Sequence, residues 1–450
     1  MYLRKNSTLG SYYPTFLAME VDSDESLELL LRFPLNPKTE ALFLHEYIHY
    51  LQDLTTIIGY ANISTIVDQM RWASNKLKGK VINVPITPSS INAYNIDIND
   101  QSFIVSKGDG EYKGRNPKIQ RSLNFELLPK SMKADSKSSI LVNIEAVFTF
   151  EDEYGQPHSY KVGEHAISES MAYLIENHIY PGVLAQPKDC PYNIVRKVVE
   201  LKKRIYSDDL SLIAICDACL MHPFPGVALF NILEETNTIT QKLSPEELFF
   251  LGTSTKLMKK SGVKDGYLSA LERQNILAKE QIMGYFSPAY WQNNKECVSA
   301  IFDEALEYRK KRPVLMLHIA QSGYIFQNQP LITTVAKLGC CAILTSANEL
   351  YTFPPRAYSK AIEPDLFVAI HFMYKLLFTN TLPNNHMVQK CPLKEWCSKS
   401  FQKQGLPDIT VGPADCDHFP WKNASKLKLL DQCCFGRVWA TYGFQGKKLN

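Results

Sequence analysis

Eleven residues, Ala41–Leu51 (ALFLHEYIHYL), constrain this chain more than any others, because only His45, Glu46 and His49 among them are strongly polar. A helix that is hydrophobic nearly all round is buried, so the fold has to close around it. A carboxylate and two imidazoles enter that interior with it, and buried polar groups need partners. The chain can build such an interior. Its 450 residues are 45% hydrophobic and 21% charged, an ordinary globular composition with room for two or three domains. That composition excludes a disordered or collagen-like chain. A formal net charge of +3 is too mild to imply a nucleic-acid or membrane partner.

Eleven cysteines is an odd number, and two adjacent pairs (Cys340–Cys341 and Cys433–Cys434) are a poor layout for a disulfide framework. The amino-terminal residues lack the apolar run of a secretory signal. The most hydrophobic stretch, Leu210–Leu233, carries Asp217, His222, Pro223 and Pro225, which a lipid-spanning helix would not tolerate. The expectation is a cytoplasmic protein with reduced thiols.

Ser26–Phe33 reads as a strand ended by Pro34. Asn36-Pro37 then supplies a capping side chain and a proline at the first helical position. The helix it opens should run to about Thr55 or Ile58, with Gly59 as its stop, and a second helical piece should cover about Ser64–Leu77. Residues 81–139 look like a β-rich insertion, with a Gly-rich turn (KGDGEYKG) and a polar stretch, SMKADSKSS. Ile140–Phe150 and His158–Val162 flank a hairpin turn, and the segment from Gly163 has helical spacing of Ile167, Met171, Leu174 and Ile175. Beyond Pro181 helices are expected at Tyr192–Tyr206, Leu210–Cys219, Pro245–Lys260, Tyr267–Phe286, Lys295–Lys311, Ile332–Leu350 and Pro364–Phe378. The fold class is therefore α+β. It divides into a mixed strand-and-helix part over residues 1–185, a helical domain over 186–382 and a cysteine-containing segment over 383–450.

His45-Glu46-Tyr47-Ile48-His49 carries the strongest chemical signal. On a helix the two histidines are one turn apart and can bind one metal ion from the same face. Glu46 lies beside them, where a carboxylate can take a proton from water activated by that ion. Zinc suits such a site because it accepts three protein ligands and keeps an open position. The plain alternative is a solvent-facing stripe on a partly buried helix, with the histidines bonded to backbone carbonyls.

FLHEYIHYLQD resembles the active-site helix of zincin metallopeptidases. Gln52 and Thr55 stand where the metzincin branch carries glycine and a third histidine, so the resemblance is to the gluzincin type. That type implies a glutamate from a later helix as third ligand, commonly in an E-x-x-A pattern, and Glu169-Ser-Met-Ala172 has that form. By this resemblance His45, His49 and Glu169 bind zinc, and Glu46 is the general base. His165 braces a ligand or stabilises the oxyanion. The thermolysin-like spacing is also open, with His165 binding and Glu169 supporting, and Glu164 is a further candidate. Oxyanion donors by chemistry are His165, Tyr173, His222, His318 and His371.

Substrate would be a protein or peptide lying extended along a strand edge, with Ser26–Phe33 as one candidate edge. The alternatives are a hydrolase of a non-peptide amide, or a non-catalytic scaffold with a structural metal. Cys216-Asp-Ala-Cys219 followed by His222 reads as core packing. Cys391, Cys397, Cys416 and Cys433, with His418 nearby, hold enough soft ligands for a second, structural zinc. Their spacing fits no standard finger, so buried free thiols are the default reading. No phosphate-binding glycine motif or nucleophile elbow is present.

Overall fold

The computed structural model describes residues 10–12, 17–23, 25–30, 33–76, 81–82, 84, 86, 106–110, 116–132, 141–285, 291–346, 349–356, 358–379, 391–403, 416, 433–444 and 448–449. It is a mixed helical and sheet architecture, α+β at the coarse level. Buried apolar side chains from Leu17 to Phe444 belong to one contiguous core.

One sheet has the order β1-β2-β7-β8, from strands Gly10–Tyr12 (β1), Met19–Val21 (β2), Cys340–Thr345 (β7) and Leu350–Phe353 (β8). β2 pairs parallel with β7, Met19 opposite Ile343, and the outer pairings are antiparallel. Val81–Ile82 (β3) pairs with Lys448–Leu449 (β9). The third sheet is β4 (Ile119–Met132), β5 (Leu141–Asp152) and β6 (Pro157–Val162), with β5 central and antiparallel to both neighbours. The expected hairpin is therefore present. It is extended by β4 from the stretch read as an insertion, while 133–139 of the polar stretch lie outside the described residues.

Helix α1 (Pro37–Thr55) begins as its sequence requires. Asn36 Oδ1 accepts the Lys38 N–H at 2.9 Å and Pro37 fills the first position. α1 ends differently from expectation. Thr56 turns extended and α2 (Ile57–Lys76) starts at once, so Gly59 lies inside α2 rather than stopping α1. The glycine serves close approach instead: a Cβ there would sit 2.2 Å from the Gln52 carbonyl oxygen. Helix α3 (Glu164–Ile179) follows β6 directly.

Beyond it come α4 (Ile194–Lys203), α5 (Asp209–Leu220), α6 (Pro225–Thr236), α7 (Pro245–Gly252), α8 (Thr255–Lys260), α9 (Tyr267–Tyr285), α10 (Gln292–Lys311), α11 (Leu315–Ala320), α12 (Gln329–Leu338), α13 (Pro364–Tyr374), α14 (Lys394–Lys403) and α15 (Cys434–Thr441). The helix expected over Pro245–Lys260 is broken at Thr253 and Ser254.

Two further expectations are corrected. Ser26–Phe33 is not a strand: Leu27–Leu29 form a 3₁₀ turn, and Leu27 and Leu30 are buried without joining a ladder. It therefore offers no strand edge to a substrate; the edges of that sheet are β1 and β8. The helix expected over Ile332–Leu350 ends at Leu338. Gly339 takes φ +63°, a Cβ there would lie 2.1 Å from the Phe353 carbonyl oxygen, and the apolar run after it continues as β7.

These elements enclose α1 from two sides. The sheet containing β2 and β7 lies against one flank, where Tyr47 and Tyr50 donate to the carbonyls of Gly339 and Leu338, each at 3.1 Å. α3 packs on the other flank. No helix among the described residues is long and apolar enough to cross a membrane.

Candidate metal centre

α1 and α3 run antiparallel, fastened at both ends. Near the start of α1, buried Glu40 accepts the Leu35 N–H at 2.8 Å and the hydroxyl of Tyr180, just past the end of α3. Near the other end, Gln52 Nε2 donates to Ser168 O at 3.0 Å. Ala172, a small residue fully buried between these points, lets the helices approach. The fastenings leave α1's histidines facing α3's glutamates.

His49 Nε2 lies 3.4 Å from Glu169 Oε2, His45 Nε2 lies 3.5 Å from the same oxygen, and the two Nε2 atoms are 3.3 Å apart. The three donors all lie within 4.8 Å of one another, a group that could hold a metal ion. Each ring is braced on its far nitrogen: His49 Nδ1 meets Gln52 Oε1 at 2.7 Å, and His45 Nδ1 stands 3.6 Å from Glu176 Oε2. Such outer partners fix the ring and its tautomer, leaving Nε2 with a lone pair for a metal. Two imidazole nitrogens, one carboxylate and braced rings are the donor set a tetrahedral zinc with one open position takes, so the residues present fit the ion.

Glu46 (5% exposed) and His49 (2%) are both buried, which excludes the solvent-facing stripe as their setting. From Thr39 to Thr55, His45 is the one residue that is not buried, and its side chain is 15% exposed. The cluster therefore meets solvent over His45. Burial alone would lower the pKa of His45. The hydrogen-bonding carboxylates of Glu169 and Glu176 and the charge of Glu46 outweigh it and raise the ring from 6.5 to about 10. A metal competes with protons for those donors.

Among the described residues the close ligand group does not include His165 or Glu164. Glu164 is paired with Lys107 at 2.6 Å. His165 is half-buried one turn before Glu169. Two of the proposed oxyanion donors are held elsewhere. His222 is fully buried, bonded to Ser261 Oγ at 2.9 Å and Gly252 O at 2.8 Å, and His371 is buried in α13. Tyr173 is nearer the centre, with its ring 6.3 Å from Tyr192, whose own ring lies 6.3 Å from His45.

Sequence reasoning passed over Gln52, Glu176 and Tyr192. The first two carry a signal in spacing: Gln52 is three residues after His49, and Glu176 is two turns after Glu169 on the same face. Tyr192 carries none, because the turn Asp189–Tyr192 that brings it to His45 is placed by tertiary packing. Cys216 and Cys219 are buried free thiols in α5, as the core reading expects. No family model, curated protein or solved structure matches the chain.

Proposed function

We propose that the chain is a zinc-dependent metallopeptidase of gluzincin-like type, cleaving peptide bonds of a protein substrate, with His45, His49 and Glu169 as the ligands and Glu46 as general base. The observation that carries this reading is the convergence of the three donor atoms within 4.8 Å of one another, beside a buried carboxylate on the same helix that a purely structural site would not need. A bound zinc ion supplies Lewis acidity, polarising a substrate carbonyl and bringing the pKa of water down to about 7.

The chain's own groups do the rest. Glu46 accepts a proton from the attacking water and returns it to the leaving nitrogen, so one carboxylate serves both halves of the reaction. Gln52 and Glu176 hold the two rings in place while that happens. Tyr192, half-buried with its ring 6.3 Å from that of His45, is the group we assign to donate to the developing oxyanion, with Tyr173 packed against it. The cytoplasm is the compartment that suits its free cysteines.

The deciding experiment maps new protein amino termini in cells expressing the wild type against Glu46→Gln. Termini that depend on Glu46 are expected. Identical sets in the two strains would overturn the peptidase reading.

A further inference from the structure

Tyr192 is brought to His45 by the short turn Asp189–Tyr192, which leaves helical geometry at Cys190. Regular helical bonds therefore do not hold it. Groups from three neighbouring places do, and the three carbonyls before Tyr192 are each taken. Asp189 O accepts the Asn193 N–H at 2.8 Å, Cys190 O accepts Asn116 Nδ2 at 2.5 Å, and Pro191 O accepts the Ser170 hydroxyl at 3.4 Å. Ser170 is wholly buried in α3, next to the proposed ligand Glu169.

Asp189 closes the arrangement. Its Oδ2 accepts the N–H of Ile119, the first residue of β4, at 2.8 Å, and its Oδ1 accepts Asn193 Nδ2 at 3.1 Å. One half-buried carboxylate thus spans from a strand of the sheet to the residue that follows Tyr192. It is the charged member of this set, and bonds to a charged acceptor are the stronger kind. Packing completes the setting. The Tyr192 ring is tilted 51° to the ring of His45, and Tyr173 meets it edge-on at 75°.

Resting on the peptidase reading above, with Tyr192 as its oxyanion donor, we propose that Asp189 is a positioning residue for that reaction. It ties the turn to β4 and so sets where the Tyr192 hydroxyl stands relative to the metal centre. An oxyanion donor has to lie about 2.7–3.1 Å from the charge it receives, and a displacement of about 1 Å costs on the order of 100-fold. The Asn116 and Ser170 bonds hold carbonyls on the near side of Tyr192. The tie from its far side, through the Asn193 side chain to the sheet, runs through Asp189 alone among these bonds. Asp189 acts through Tyr192, since its two oxygens are directed at Ile119 and Asn193 and not at the metal donors.

The test uses the full chain loaded with zinc, and acetohydroxamate as the probe, a metal-binding group whose carbonyl oxygen takes the place of the substrate's. Tyr192→Phe should weaken its binding about tenfold with zinc content unchanged. Asp189→Ala should do the same, and in the Tyr192→Phe background it should cost nothing further. Asp189→Asn should recover most of the affinity, because it keeps an oxygen for Ile119 and the Asn193 amide can turn its own oxygen to the new NH₂. In metal-free protein, amide hydrogen exchange over residues 189–193 should quicken in Asp189→Ala while α1 and α3 keep their protection. Wild-type affinity in Asp189→Ala, an undiminished loss in the double variant, or unaltered exchange would each overturn the proposal. Cleavage of fluorescently labelled casein is followed in parallel. No Glu46-dependent cleavage by the wild type, with the affinities and exchange as expected, would fault the peptidase reading and leave the placement of Tyr192 by Asp189 supported.

Discussion

Glu176 Oε2 lies 3.6 Å from His45 Nδ1 while Glu169 Oε2 lies 3.5 Å from His45 Nε2, so one imidazole bridges two carboxylates that stand two turns apart on a single helix. The ring can donate a proton to Glu176 and keep its other nitrogen for a cation. This arrangement explains why α3 carries three acidic side chains that are almost wholly buried, Glu164, Glu169 and Glu176. Glu164 faces Lys107, and the other two face His45.

Removing a ligand and removing the base should have separable effects. His45→Ala, His49→Ala and Glu169→Ala are each expected to lose the metal of this centre. Glu46→Gln should retain it while losing roughly 10²–10⁴-fold in hydrolysis. Elemental analysis beside a peptidase assay reads both. Unchanged zinc in the two histidine variants, or wild-type turnover in Glu46→Gln, would sink the assignment.

The braces should tune affinity without being ligands. Glu176→Ala and Gln52→Ala are expected to weaken zinc binding about 10–100-fold while leaving the stoichiometry of the site intact at saturating metal. Competition against a chelator of known affinity measures this. An affinity equal to wild type would mean the rings are held by packing alone.

Gly59 links the second helix to the site. Its Cβ-less face lies against the backbone of Gln52 and Asp53, so Gly59→Ala would place a methyl carbon 2.2 Å from the Gln52 carbonyl oxygen. The helices must part to accept it, at a cost of about 1–3 kcal/mol. The shift moves the residue that braces His49, so zinc affinity should fall together with stability. Denaturant unfolding and the same competition assay check the pair. A stability loss with unaltered affinity would show that α1 transmits none of the displacement.

Acid should destabilise the fold through its buried neutral histidines. Burial lowers His222 from 6.5 to about 4, outweighing its bond to the Gly252 carbonyl, and burial likewise lowers His371 to about 4. Because the unfolded chain binds the proton first, the stability each contributes is complete above about pH 6.5 and is lost as pH falls towards 4. For fully buried His222 this amounts to something on the order of 3 kcal/mol. In metal-free protein His45 acts in the opposite sense: raised to about 10, it contributes stability below pH 6.5 that is lost as pH rises. The experiment therefore belongs in a His45→Ala background, with unfolding midpoints compared at pH 7 and pH 5. His222→Gln should flatten the dependence. A midpoint that does not fall on acidification would refute the account.

The sequence by itself determined the buried helix and its chemistry. ALFLHEYIHYL can be stable only inside a core, a four-residue spacing puts two imidazoles on one face, and Asn36-Pro37 marks where the helix begins. The helix of α3 and the hairpin before it were equally legible, because local hydrophobic period and turn residues decide them.

Tertiary structure decided the rest. Whether SLELLLRF coils or extends depends on which sheet has room for it, and Leu27–Leu29 form a 3₁₀ turn. CCAILT has the apolar run of either a helix or a strand. The sharp turn at Gly339 and the waiting edge of β2, more than 300 residues earlier in the chain, make it a strand. The choice among Glu164, His165 and Glu169 was also beyond local reading, since all three lie within six residues on one helix. The antiparallel fastening of α1 to α3, through Glu40 with Tyr180 and Gln52 with Ser168, sets the register that brings Glu169 to the histidines. Local pattern fixes what a helix carries, but only the register between helices fixes what it meets.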